Sequence, residues 1–339
     1  MRISFALAFI FPVLFFQSCD NTLDINAPYK ETPVVFGFLD PGQTTQYIRI
    51  TKTFQNSTNI TPQQAAQDPN LLYFDTLVVK LVRIYTNPIR ISYDTFDFYK
   101  TNAILKDQGY FSNALNFLYA CDYKFDTAFK SNSSYKLIIY NPKSGNSYYA
   151  VTSIVGTAGI MTGNFSLFTL DFYYDSPDWL FFQWDPAPNA FVYSPIIRYH
   201  YKEGPKGQTP STPKTVDQVV YPNIDPYHAS INALAFNQFL INSFGGIDTK
   251  TGNDSSVFSR TMISIDYVVL AGSSDLATAS NFSKPNTSLL QVMPLYSNIP
   301  DCIGLFTSRS TSIKPIPWNP GTQTKSIKNL TYRVCGFPQ

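Results

Sequence analysis

The sequence predicts an all-β protein, two consecutive β-sandwich domains behind a cleavable leader, and three observations carry that prediction. Residues 46–54 (QYIRITKTF) alternate Ile48 and Ile50 against Tyr47, Arg49 and Thr51, the period of a half-buried strand. Residues 135–140 and 147–154 flank the turn Asn141-Pro142-Lys143-Ser144-Gly145-Asn146 and read as a hairpin. Aromatic residues make up 16% of the chain and prolines number 24, a balance that suits strands and punctuated loops better than helices.

The leader comes first. Arg2 supplies a positive n-region, and the apolar run 3–16 is shorter than the roughly 18–20 residues that cross a bilayer. Phe16-Gln17-Ser18-Cys19 then sets a small residue directly before a cysteine, the arrangement of a lipobox. This predicts that residues 1–18 are a lipoprotein signal peptide and that Cys19 becomes the acylated first residue of the mature chain. Each buried acyl methylene contributes about 0.8 kcal/mol, so two or three chains hold stably where one is marginal. Residues 19–30 follow as a lipidated tether whose partner is the membrane. Asp20 leaves the destination open, because an acidic neighbour retains lipoproteins at the inner membrane in some bacteria.

About 320 residues remain, a length that predicts two domains. The first spans 31–162. Residues 33–39 and 46–54 are its opening strands, joined at Asp40-Pro41-Gly42; residues 56–70 make a surface loop or short helix, and 76–85 (TLVVKLVRIY) a further strand. After Gly156-Thr157-Ala158-Gly159 the pattern restarts, so 163–339 form the second domain. There 179–184 (WLFFQW), the turn Asp185-Pro186-Ala187-Pro188-Asn189-Ala190 and 191–201 (FVYSPIIRYHY) follow one another. A strand ending in Trp184, a proline-rich turn and a tyrosine-bearing strand resemble part of a fibronectin type III module, which implies an immunoglobulin/fibronectin-like sandwich. Two helices interrupt it. Ala229, Ala233, Phe236, Leu240 and Phe244 have helical spacing and predict one over 228–244; a second covers 274–282, with Ser273 or Ser274 as its N-cap. Residues 261–270 read as a strand between them.

Chemistry is mostly excluded. Charged residues are 14% and the net charge is +2, so there is no nucleic-acid footprint. Two histidines, His200 and His228, give no local metal-ligand spacing, and no serine elbow, phosphate loop or dinucleotide fingerprint occurs. No metal or cofactor is expected. His200, with Arg198 and Lys202 on its own face, reads as a solvated or edge histidine. Asp94 and Asp97 point to opposite faces of a strand-like run, and Asp175 and Asp178 flank a turn, which leaves a carboxylate-based glycosidase as the least favoured function. Residues 248–254 lack the spacing of a calcium loop. Trp179 and Tyr201 are candidate aromatics for contact with a glycan or protein ligand. Cys302 and Cys335 both sit beside strand-like runs; either they form a bridge, contributing about 3–4 kcal/mol, or they stay buried thiols with Cys121. The function expected is a non-enzymatic binding or accessory module, with a structural or adhesive surface role as the alternative.

Several dispersed stretches resemble a family of Bacteroidetes-type envelope lipoproteins known only as a domain of unknown function. They are residues 35–39 with 47–54; Gln67-Asp68-Pro69 ahead of Tyr73-Phe74-Asp75; residues 184–190 leading to Arg198-Tyr199-His200-Tyr201; and Leu295-Tyr296-Ser297-Asn298-Ile299 with Gly304-Leu305-Phe306. The resemblance implies an outer-membrane lipoprotein, sometimes beside a TonB-dependent receptor, and assigns no catalytic or binding residue. In such bacteria Asp-Thr followed by an apolar residue can be O-glycosylated. Thr76 and Thr127 fit that tripeptide, which chance accounts for equally well.

Overall fold

The computed structural model describes residues 31–54, 61–87, 90–106, 109, 111, 115–125, 133–161, 179–205, 207–225, 228–232, 258–283 and 296–316. Strands dominate it. The first half holds β1 (Pro33–Leu39), β2 (Gln46–Lys52), α1 (Pro62–Gln67), α2 (Pro69–Leu72), β3 (Val78–Asn87), β4 (Arg90–Thr101), β5 (Leu118–Cys121), β6 (Ser133–Asn141), β7 (Asn146–Ser153) and β8 (Gly159–Ile160). The second holds β9 (Trp179–Asp185), β10 (Val192–Pro205), β11 (Thr212–Val219), β12 (His228–Asn232), β13 (Phe258–Gly272), α3 (Ser274–Ser283) and β14 (Ile303–Ile316). Eleven strands join in the order β11-β10-β13-β14-β1-β2-β5-β4-β3-β6-β7, and β12-β9-β8 form a smaller sheet.

The local signals behave as their chemistry requires. β2 buries Gln46, Ile48 and Ile50 and turns Tyr47, Arg49 and Thr51 outward. The β6–β7 hairpin closes where Asn141 accepts from the Lys143 amide at 3.0 Å and Gly145 takes a φ of +74°. Within 56–70 a helical turn forms because Thr61 and Gln64 make a reciprocal capping box ahead of Pro62, and Asp68 caps α2 through the Asn70 amide at 2.9 Å. α3 starts as expected, with Ser273 accepting at its N-terminus.

One expectation is corrected. Residues 228–232 are not the start of a helix but the strand β12, antiparallel to β9 from His228 opposite Gln183 to Asn232 opposite Trp179. The spacing of Ala229 and Ala233 suited a helix, yet Ala229 and Ile231 also alternate, and pairing with β9 decides between the two periods. Residues 233–244 lie outside the described residues.

The boundary placed near residue 162 is bridged by hydrogen-bonded strands. β14 pairs in parallel with β1, from Val34 opposite Ile303 to Leu39 opposite Ser308, and then antiparallel with β13 from Arg309 onward. From Thr32 the chain clusters as one compact unit. Its main core joins Val35, Ile48, Ile50, Leu81, Leu137 and Ile139 to Ile299, Cys302 and Phe306 from the far end of the sequence.

That junction is built by a short clasp. The Asn298 side chain accepts from the Phe306 amide at 2.9 Å and donates to its carbonyl at 2.7 Å. Gly304 sits at φ +122°, and a Cβ there would lie 2.0 Å from the Val35 carbonyl oxygen. Only glycine fits. A second clasp uses the turn after β9: Asn189, at φ +59°, donates to the Ile154 carbonyl at 2.9 Å, and the Gly156 amide donates to the Pro188 carbonyl at 2.9 Å. Trp184 is buried beside Tyr193, ring centroids 5.5 Å apart, although their strands β9 and β10 belong to different sheets.

Candidate functional site

The outward face of β1 and β2 carries a cleft. Register makes it: Val34 lies opposite Thr51 and Phe36 opposite Arg49, and directly paired residues share a face. These four side chains floor an opening of about 420 Å³, walled by Leu72 and Tyr73 at the end of α2, by Lys52, Thr53 and Phe54 running out of β2, and by Lys106 and Phe111 beyond β4. That volume lies within the usual range of small-molecule sites. Phe36 is 47% exposed and Phe111 48%, so two aromatic faces open to solvent there.

Polar contacts fix the walls. Arg49 Nη2 donates to Asn116 Oδ1 at 2.9 Å, and the buried Asn116 donates in turn to the Ile104 carbonyl at 2.8 Å, which ties the segment after β4 to the sheet. Tyr73 meets Phe117 edge-on at 5.2 Å, and the Lys100 ammonium lies 4.4 Å from the Phe117 centroid. Lys106 donates to the Phe111 carbonyl at 3.4 Å and lies 5.5 Å from that ring. Burial, and then the nearby Arg49 guanidinium, push the Lys106 ammonium below the usual lysine range. Among the described lining residues three are cations and none is acidic.

The other positions singled out in the sequence lie elsewhere. Tyr201 is buried on β10, its hydroxyl pushed up by burial and by Glu203. Trp179 opens β9, where its backbone pairs with Asn232. Thr76 is exposed in the connection between α2 and β3, two residues short of the strand it was expected to open. Cys302 is a buried free thiol, as is Cys121. Cys19, Thr127 and Cys335 lie outside the described residues, as do Asp175, Asp178 and residues 248–254.

For His200 the edge alternative is corrected, because β10 is flanked by both β11 and β13, while its side chain stays partly exposed. Its Nε2 lies 2.7 Å from Asp266 Oδ2, while Arg198 beside it makes a two-pronged contact with Asp217 at 2.8 Å on each arm. Ser264 stands opposite His200 in register, with no hydrogen bond between their side chains among the described residues. Asp94 and Asp97 are matched to Arg83 and Lys80 across β3, at 3.9 and 3.2 Å. Among the described residues no cluster of His, Cys, Asp and Glu has the makings of a metal site, and no helix is long and apolar enough to cross a membrane.

No family model, curated protein or solved structure matches this chain. The cleft is therefore read on its own chemistry. Sequence reasoning had placed Arg49 and Thr51 on the outward face of β2 but named none of the cleft residues as a site, because Lys106 and Phe111 reach it from a separate segment.

Proposed function

We propose that this chain is a lipid-anchored envelope protein of the outer membrane that works as a non-enzymatic binding module, with the cleft on β1 and β2 as its binding site. The cleft carries the reading: an open, mostly apolar cavity of about 420 Å³ with cations at its wall suits holding a small molecule. Among the described residues its lining has no histidine, cysteine or carboxylate to act as nucleophile, acid or base. The lipobox at Cys19 supports the anchor, and the resemblance to envelope lipoproteins supports a place beside a TonB-dependent receptor. The same reading takes the strands as two consecutive immunoglobulin/fibronectin-like sandwiches, hydrogen-bonded to each other through β1 and β14. Support comes from the core, where inward residues of β1 and β2 join those of β3 and β6 in one cluster.

Native mass spectrometry of the full chain, purified from membranes, tests the binding role. A small molecule should accompany the wild type and be lost from a Phe36→Ala, Tyr73→Ala variant. A molecule retained equally by both sinks the assignment to this cleft. Fractionation of Cys19→Ala tests the anchor, since continued membrane association would refute it.

A further inference from the structure

Two of the cations lining the cleft stand on different supports. Arg49 projects from the middle of β2, and its hydrogen-bond partner Asn116 is neutral, so its charge is oriented but not cancelled by that contact. Lys106 comes from the segment after β4 and lines the same cleft. An anion entering the cleft would meet both positive charges. The rest of the lining gives the shape of the companion group. Phe36 presents its ring at the floor, and Tyr73, Phe111 and Leu72 offer apolar walls. Flat aromatic surfaces of this kind favour stacking by a planar body. A ring system of one or two rings fits a space of this size.

We propose that the cleft takes a small organic anion with a flat apolar body, its carboxylate or sulfonate facing Arg49 and Lys106 and its body lying on Phe36. This rests on the cleft being the binding site, as argued above.

A matched pair of probes separates the two claims. The full chain is held in phosphatidylcholine nanodiscs, where no anionic lipid competes, and titrated with 2-naphthoate and with its neutral counterpart 2-naphthamide. 2-Naphthoate should bind about tenfold more tightly, consistent with a charge-assisted contact of about 1.4 kcal/mol. Arg49→Met should cut the ratio of 2-naphthoate to 2-naphthamide affinity severalfold, the ratio being the readout because the variant also loses the Arg49–Asn116 bond that steadies the wall. Lys106→Met, which spares the Arg49–Asn116 bond, should reduce the preference in the same direction. Phe36→Ala should weaken both probes. Equal binding of the two probes, with neither charge variant altering it, overturns the anion while leaving the cleft as an apolar site. Absence of binding by either probe, or indifference of both to Phe36→Ala, overturns the cleft reading and the proposal together.

Discussion

Replacing Gly304 by alanine should be among the most damaging single-methyl additions the described chain can suffer. Two costs combine. A φ of +122° is a conformation that residues with a Cβ adopt only under strain, worth about 1–3 kcal/mol. The added Cβ would also stand 2.0 Å from the Val35 carbonyl oxygen, far inside the ~3.3 Å of even a close C–H···O contact. Backbone cannot yield as a side-chain tip does, so β1 and β14 must separate by more than an ångström where they pair. That disturbs a parallel register running from Val34–Ile303 to Leu39–Ser308, whose hydrogen bonds are each worth about 1 kcal/mol net. The sum is a loss of about 4 kcal/mol or more, a large part of the roughly 5–15 kcal/mol that holds a folded protein together. Gly145→Ala is the control: its φ of +74° is also left-handed, but nothing lies within 4 Å of the added carbon, so about 1 kcal/mol is expected. Urea unfolding followed by tryptophan fluorescence measures both. If the two variants fall within 1 kcal/mol of each other, the close approach of Gly304 to Val35 is not what holds the junction.

Three further outcomes follow from the packing. Burial disfavours the Glu203 carboxylate, but hydrogen bonds from Lys214 and Arg260, the latter at 2.8 Å, outweigh it and hold the carboxyl below its usual range. Its stabilising contribution is therefore present above the ordinary glutamate value near ~4.3 and disappears as pH falls through the lower folded value. Glu203→Gln should cost about 3 kcal/mol at pH 7 and flatten the acid limb of a pH–stability profile; an unchanged limb refutes the pairing. Asn298→Ala should lower stability by about 2 kcal/mol through its two bonds to Phe306, with Asn298→Asp recovering part of the loss in thermal melts. Burial pushes the Cys121 thiol up to about 11 and the Cys302 thiol up to about 12, so neither should react with Ellman's reagent at pH 8 in the folded protein. Both should react in urea without reductant, and a silent Cys302 there would show a bridge.

Where the chain's own period decides the structure, the sequence was readable. β2 and the β6–β7 hairpin needed only alternation and a turn. The strand β12 was misread because five residues satisfy two periods and only the neighbouring strand chooses. β14 was visible over its apolar start at Ile303, Leu305 and Phe306, but its continuation, SRSTSIKPI, looks like surface. Two of its three buried serines have partners that no local pattern shows: Ser308 accepts from the Val155 amide at 2.9 Å, and Ser310 donates to the Gly156 carbonyl, whereas the Ser312 hydroxyl is buried without a hydrogen bond among the described residues. His200 shows the same limit, since its carboxylate partner Asp266 comes from another strand. For the cleft, alternation gave the floor, while the walls depend on a loop anchored by one asparagine.

The parallel pairing of β1 with β14 also sets an order of events for the growing chain. β1 emerges among the first strands and β14 among the last described, so one flank of β1 has no native partner until nearly all the sequence has appeared. Antiparallel neighbours such as β6 and β7 can form as soon as they are made, but the central sheet waits on a contact between distant stretches. Topology thereby delays completion of the central sheet until that late pairing forms. Until that contact forms, the open flank of β1 is an unpaired strand edge, the surface most exposed to wrong pairing.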